Sequence, residues 1–222
     1  MHATAPRLAR LIACAAVPAM LIAGCSSGSK ASSGDASGSS APSSTTAAPT
    51  LAAARYTKLP DPCRAIAQAT VKTMVPSAQD ADGKAVSSGT DSHAGCSWTG
   101  LDGYQYRFLD DTFQRFDTIA NTTSAEDQAR SAYQLAVQTA AKASGAKTAA
   151  APGLGDQASL ITWDAKKDGA QYHYATVIAR SANAVVTVDF SGAGLQGDEQ
   201  PKTDRMNEDA QQAAKEALAA LK

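Results

Sequence analysis

A chain of 222 residues with 20 Lys+Arg against 21 Asp+Glu carries a net charge of −1, which excludes a polybasic nucleic-acid binder and a strongly acidic tail protein. Hydrophobic residues make up 44% of the chain but aromatics only 5%. The apolar content is therefore rich in alanine, and a modest core helped by a covalent staple is expected in one domain or a small pair.

Residues 1–24 read as a leader. Arg7 and Arg10 precede residues 11–23, an uncharged apolar run interrupted by Pro18. At 1.5 Å per residue this run spans roughly 20 Å, short of the roughly 30 Å hydrocarbon core of a bilayer, so it suits a signal h-region rather than a membrane span. It ends in Ile22-Ala23-Gly24-Cys25, which resembles a bacterial lipobox, with small residues for the peptidase and the Cys25 thiol for the lipid. The alternative is an ordinary secretory leader cut elsewhere. At about 0.8 kcal/mol per buried CH₂, two acyl chains such as palmitate make anchoring effectively permanent. The expected location is the outer face of the cell membrane. Residues 25–54 comprise the lipidated Cys25 and a Ser/Ala/Gly/Thr/Pro tether with Lys30 and Asp35 as its charges. The composition predicts disorder and an r.m.s. reach of roughly 30 Å.

Residues 55–222 read as a single domain. Cys14 leaves with the leader and Cys25 takes the lipid, so Cys63 and Cys96 remain for an oxidising compartment. A disulfide closing a loop of about 33 residues contributes roughly 3–4 kcal/mol on the chain-entropy model. A catalytic or metal-binding thiol is the alternative, but the spacing matches neither C-x-x-C nor a zinc ligand set.

In chain order, Asp61-Pro62-Cys63 predicts a helix start, with Asp61 as N-cap and Pro62 at N1. Ile66, Ala67, Thr70, Val71 and Met74 continue one helical face until Pro76. Residues 77–95 are polar and read as a loop. Residues 96–99 and 104–108 alternate as strands around Asp102-Gly103, a two-residue hairpin signal. Ser124 with Asp127 resembles a capping box for a second helix bearing Ala129, Ala132, Tyr133, Ala136, Val137 and Ala140. An Ala-rich connector follows, then three strands at about 158–163, 171–180 and 184–190, then a helix carrying Met206, Ala210, Ala213, Ala214, Ala217 and Leu221. The order αββαβββα predicts an α+β fold, an antiparallel sheet of about five strands with helices packed on it.

Candidate chemistry is sparse. Gly192-Ala193-Gly194-Leu195-Gln196-Gly197 matches G-x-G-x-x-G, but Asp198 and Glu199 put negative charge where a pyrophosphate would sit and Pro201 delays the helix. It reads as a flexible loop. His93 and His173 lack an H-E-x-x-H pattern, clustered carboxylates or a G-x-S-x-G elbow, so no metal, cofactor or catalytic residue is assigned. Asp110, Asp111 and Asp117 lack EF-hand spacing and read as a solvated loop. Trp98, Tyr104 and Tyr106, with Phe108 and flanked by Arg107, form a possible binding strip, the alternative being a buried sheet face.

The lipobox, the tether, Asp61-Pro62-Cys63, Cys96-Ser97-Trp98 and Gly153-Leu154-Gly155-Asp156 together resemble actinobacterial cell-surface lipoproteins. These carry a domain of unknown function common in streptomycetes, nocardiae and mycobacteria, and the likeness covers roughly residues 59–221. The resemblance implies the Cys63–Cys96 bridge and a fold similar to extracytoplasmic sensor domains of mycobacterial receptor kinases, which carry a further disulfide. It supplies no catalytic residues. The expected function is a non-catalytic, lipid-anchored extracytoplasmic domain that binds a small ligand or envelope protein, with no nucleic-acid partner. The alternatives are a cell-envelope hydrolase using His93 or His173, and a structural surface protein.

Overall fold

The computed structural model describes residues 51–86 and 89–222. The residues read as leader, lipid site (Cys25) and tether, up to residue 50, lie outside the described residues. Asp61 and Pro62 open a turn as expected: the Asp61 carboxylate accepts from the Cys63 N–H at 3.0 Å. That turn is a short 3₁₀ helix, Pro62–Arg64, and α1 begins separately at Gln68 and runs to Met74. Ala67 has no capping side chain of its own; instead Glu216, from the last helix, accepts from Ala67 N at 2.9 Å and from Thr70 Oγ1 at 2.8 Å. A distant carboxylate thus satisfies the orphan donors at this helix end.

The sheet is α+β in class but larger than expected. Its strands are β1 (Lys84–Ala85), β2 (His93–Asp102), β3 (Gln105–Arg115), β4 (Lys147–Ala150), β5 (Gln157–Lys167), β6 (Ala170–Ser181) and β7 (Ala184–Gly194). All pair antiparallel in the order β1-β2-β3-β7-β6-β5-β4, so seven strands replace the expected five and the element order becomes αβββαββββα. The two additional strands are the edges. β1 falls in the polar stretch read as a loop, and β4 is the alanine-rich connector, whose residues are exposed and held by pairing with β5. Neither carries the alternation that marks a half-buried strand.

The β2–β3 hairpin is shifted by one residue from the expected turn. Asp102 pairs with Gln105, so the loop residues are Gly103, at φ +59°, and Tyr104. Two further expected loops are strand. Asp110 and Asp111 lie within β3, and Asp117 takes an ion pair from Arg115. Gly192 and Gly194 are the last turns of the pleat in β7, and Gly194 leaves room for the Asp198 and Glu199 carbonyls to fold back against it. The glycines there serve close backbone packing.

Helices cover both faces. α3 (Thr203–Ala219) and α1 pack on the face carrying Trp98, Leu109, Phe113, Val177, Val188 and Phe190, and α3 meets the sheet through Met206, Ala210, Ala213, Ala214 and Ala217. The alanine stripe lets the helix axis approach closely, which is how a core short of large side chains closes. The Cys63–Cys96 disulfide is present, with Cα atoms 5.1 Å apart, and ties the 3₁₀ turn to β2. Gly83 lies against it and against the Trp98 indole, so closely that a side chain there would collide with both. On the opposite face lies α2 (Ala125–Ala140), capped by Ser124 Oγ, which accepts from Asp127 N at 3.0 Å. Ala129 packs there on Ile161, Ile178 and Val185. Upstream of the sheet, Asn183 exchanges hydrogen bonds with both backbone groups of Tyr56, and Thr118 Oγ1 donates to the Ala52 carbonyl.

Candidate functional site: a groove between α2 and the sheet

Strand alternation decides what the α2 face presents. From the register, that face carries Tyr106, Phe108, Asp110 and Thr112 of β3, and Thr187, Asp189 and Ser191 of β7. It also carries Tyr172, Tyr174, Thr176 and Ile178 of β6, with Ile161 and Trp163 of β5. α2 is seated by Ala125 and Ala129, which are buried, and by a Tyr133–Ser159 hydroxyl contact at 2.7 Å. In its later turns Ala136, Val137 and Ala140 are only partly buried against the sheet, leaving one side open. Between them and the strands runs a groove of about 650 Å³, walled by Ala132, Leu135, Ala136 and Thr139 on the helix and by Trp163 and Ile178 on the sheet. Leu135 remains 64% exposed at its lip.

Two features mark this face. The first is an aromatic ladder. Trp163 and Tyr174, cross-strand partners, stack in parallel with centroids 4.8 Å apart; Tyr172 follows at 6.2 Å from Tyr174, and Tyr106 meets Tyr172 edge-on at 5.9 Å. The second is a pair of carboxylates. Asp110 and Asp189 sit directly opposite each other on β3 and β7, an arrangement of like charges that weakens a sheet. Burial, reinforced by Asp189, pushes the Asp110 carboxyl up to about 6. Burial also raises Asp189, partly opposed by the hydroxyl of Thr176, which donates to Asp189 Oδ1. Asp189, Thr176 and Thr187 line the groove floor.

The residues of the expected binding strip are distributed over the fold. Trp98 is 2% exposed, inside the core beneath α1 and α3. Tyr104 is 50% exposed in the hairpin loop. Arg107 shares the Trp98 face, its guanidinium donating to Tyr106 O at 2.7 Å and to Gln105 Oε1 at 3.1 Å. Tyr106 lies on the opposite face, at the end of the aromatic ladder. The alternation of β3 separates Tyr106 and Phe108 from Trp98 and Arg107. Trp163, Tyr172, Tyr174 and Asp189 were not singled out from the sequence; their shared parity on three alternating strands is the signal that was available.

The two histidines differ. Among the described residues, His93 makes no side-chain hydrogen bond. His173 is 5% exposed on the α3 face, with Nδ1 2.8 Å from Asp164 Oδ1 and Nε2 3.0 Å from Asn207 Oδ1. It borders a smaller cleft of about 290 Å³ that also includes Lys147, Thr162, Thr203 and Asp204. The acidic neighbour required of an acid–base histidine is therefore present at His173. Both ring nitrogens are engaged, and among the described residues no hydroxyl bonds to the ring. The arrangement joins β5 and β6 to the first turns of α3.

Asp111 faces away from the groove. It is 0% exposed beside the disulfide, Oδ1 accepts from Cys96 N at 2.9 Å, and Oδ2 has no partner. Burial is the main cause raising its carboxyl to about 8, with the Cys96 N–H opposing and the Asp110 and Asp61 charges reinforcing. Among the described residues no group of three or more His, Cys, Asp or Glu side chains is placed to hold a metal ion, and no helix is long and apolar enough to cross a membrane. Comparison with protein-family models, curated proteins and solved structures returned no match.

Proposed function

We propose that this chain is a lipid-anchored extracytoplasmic binding domain whose ligand is a small organic molecule seated in the groove between α2 and the sheet. The observation that carries the reading is the groove: an apolar helix wall faces Trp163 and Ile178 above a polar floor of Thr176, Thr187 and Asp189, on a sheet face that α2 covers in part. Pockets that combine mostly apolar walls with a few convergent polar groups are the usual form of small-molecule sites. The lipobox-like Cys25 supports the anchor. The Cys63–Cys96 bridge supports an oxidising compartment. A second reading, acid–base chemistry at His173, has the Asp164 contact in its favour. Against it, a substrate would have to displace Asn207 to reach the ring.

Two measurements test the proposal. In the native host, Cys25→Ala is expected to release the protein into the medium; retention in the membrane fraction would refute lipid attachment. For the groove, the neutral probe N-phenyl-1-naphthylamine should show saturable fluorescence enhancement on the full chain. Ala136→Phe, which fills the groove from the helix side, should weaken that binding by about tenfold or more, equivalent to about 1.4 kcal/mol, with the circular dichroism spectrum unchanged. Absence of saturable binding, or binding indifferent to Ala136→Phe, would overturn the groove assignment.

A further inference from the structure

The charge on the groove floor has no counterpart inside the protein. None of the side chains lining the groove is basic. Asp189 receives the Thr176 hydroxyl on Oδ1, a neutral donor that leaves the carboxylate charge uncompensated. Neither Asp189 nor the opposing Asp110 takes part in an ion pair among those residues. Other acids are served differently: the partly buried Asp209 meets Arg205 at 3.0 Å, and the exposed Asp156 meets the buried Arg180 at 3.2 Å. Placing like charges opposite each other on adjacent strands costs stability that packing does not return. The arrangement becomes favourable when a positive group arrives from outside.

The walls restrict what that group is. A hard metal ion takes six or more oxygen ligands, whereas this floor offers the Asp189 carboxylate, Thr176 and Thr187 beneath hydrocarbon, with Asp110 beside Asp189 across the strand pair. An organic cation matches both halves of the site. Its charge meets the carboxylates, and its apolar body lies along Ala132, Leu135, Ala136 and Ile178. The Trp163 indole at the wall extends the apolar surface available to that body.

We infer that the groove selects an amphiphilic organic cation, an ammonium group over Asp189 and Asp110 with an apolar body between α2 and Trp163. This rests on the groove reading above and names the ligand chemistry that the reading leaves open.

The test uses three probes with one ring system: 1-naphthylmethylamine, protonated at neutral pH, 1-naphthalenemethanol and 1-naphthoate. Each displaces N-phenyl-1-naphthylamine from the full chain at low ionic strength. The ammonium is expected to bind at least tenfold more tightly than the alcohol, and the carboxylate more weakly than either. In Asp189→Asn the ratio of ammonium to alcohol affinity should fall to near one. Should that variant fail to fold, Asp110→Asn reports the same ratio, expected to shrink several-fold. Equal affinity for alcohol and ammonium in the native protein refutes the cation assignment and leaves the groove reading standing, as does a preference that survives both substitutions. Failure of all three probes to displace the bound N-phenyl-1-naphthylamine refutes the cation assignment alone, whereas absence of saturable N-phenyl-1-naphthylamine binding refutes both.

Discussion

Adjacent in sequence, Asp110 and Asp111 project to opposite sides of one strand and meet different fates. Asp110 looks across to Asp189 on the groove face, while Asp111 is sealed beside the disulfide with one oxygen unpartnered. Burial lifts the Asp111 carboxyl from 3.8 to about 8. Above about pH 4 the unfolded chain releases a proton that the folded chain keeps, so stability falls as pH rises towards 8 and levels beyond it. Asp110, raised to about 6, adds to the loss in the lower part of that window. Asp111→Asn keeps an oxygen for Cys96 N–H and cannot ionise. Urea unfolding is expected to show a shallower decline between pH 5 and 8 in that variant, and a gain on the order of 2 kcal/mol at pH 8. Parallel profiles for the two proteins would contradict the burial argument. The sequence places Asp110 and Asp111 side by side and says nothing of this division, because parity matters only once a stretch is known to be strand. The disulfide was legible because reading residues 1–24 as a leader and Cys25 as a lipid site leaves two cysteines to pair.

At the scale of elements, the disulfide joins a 3₁₀ turn to β2, and the turn's side-chain hydrogen bonds among the described residues are Asp61 on Cys63 N and Arg64 on Asp82, each at 3.0 Å. The bridge closes a separation of 33 residues that includes α1 and β1. Cys63→Ser with Cys96→Ser should lower stability by about 3–4 kcal/mol on the chain-entropy model, read as a drop in denaturation midpoint. A loss below about 1 kcal/mol would mean that α1 and Glu216 alone hold this corner. Helix α2 was legible from its Ser124 cap and 3.6-residue apolar spacing, α3 from its spacing alone, and the five central strands from their alternation. β1 and β4 were not. Two exposed residues, or four residues of Lys, Thr and Ala, hold no periodicity, and hydrogen bonds from a neighbouring strand supply what the side chains lack.

For the molecule as a whole, the decisive feature is the antiparallel pairing of β3 with β7, which joins the first hairpin to the later meander across α2. It brings Asp110 opposite Asp189, completes the continuous face, and leaves α2 to cross it. No local pattern encodes that long-range pairing, which is why an α+β sheet could be read from the sequence while the groove could not. The expected strip of Trp98, Tyr104, Tyr106 and Arg107 was drawn from one hairpin, whereas the aromatic ladder and carboxylate pair draw on β3, β5, β6 and β7. The most direct test of the groove is a residue-by-residue map of binding: ¹H–¹⁵N correlation spectra of the full chain titrated with N-phenyl-1-naphthylamine. The account predicts shifts concentrated at the Ala132, Leu135, Ala136 and Thr139 amides, the Trp163 indole N–H, and Thr176, Ile178 and Asp189. Shifts clustered instead around His173 and Asn207, or none at saturating probe, would contradict it.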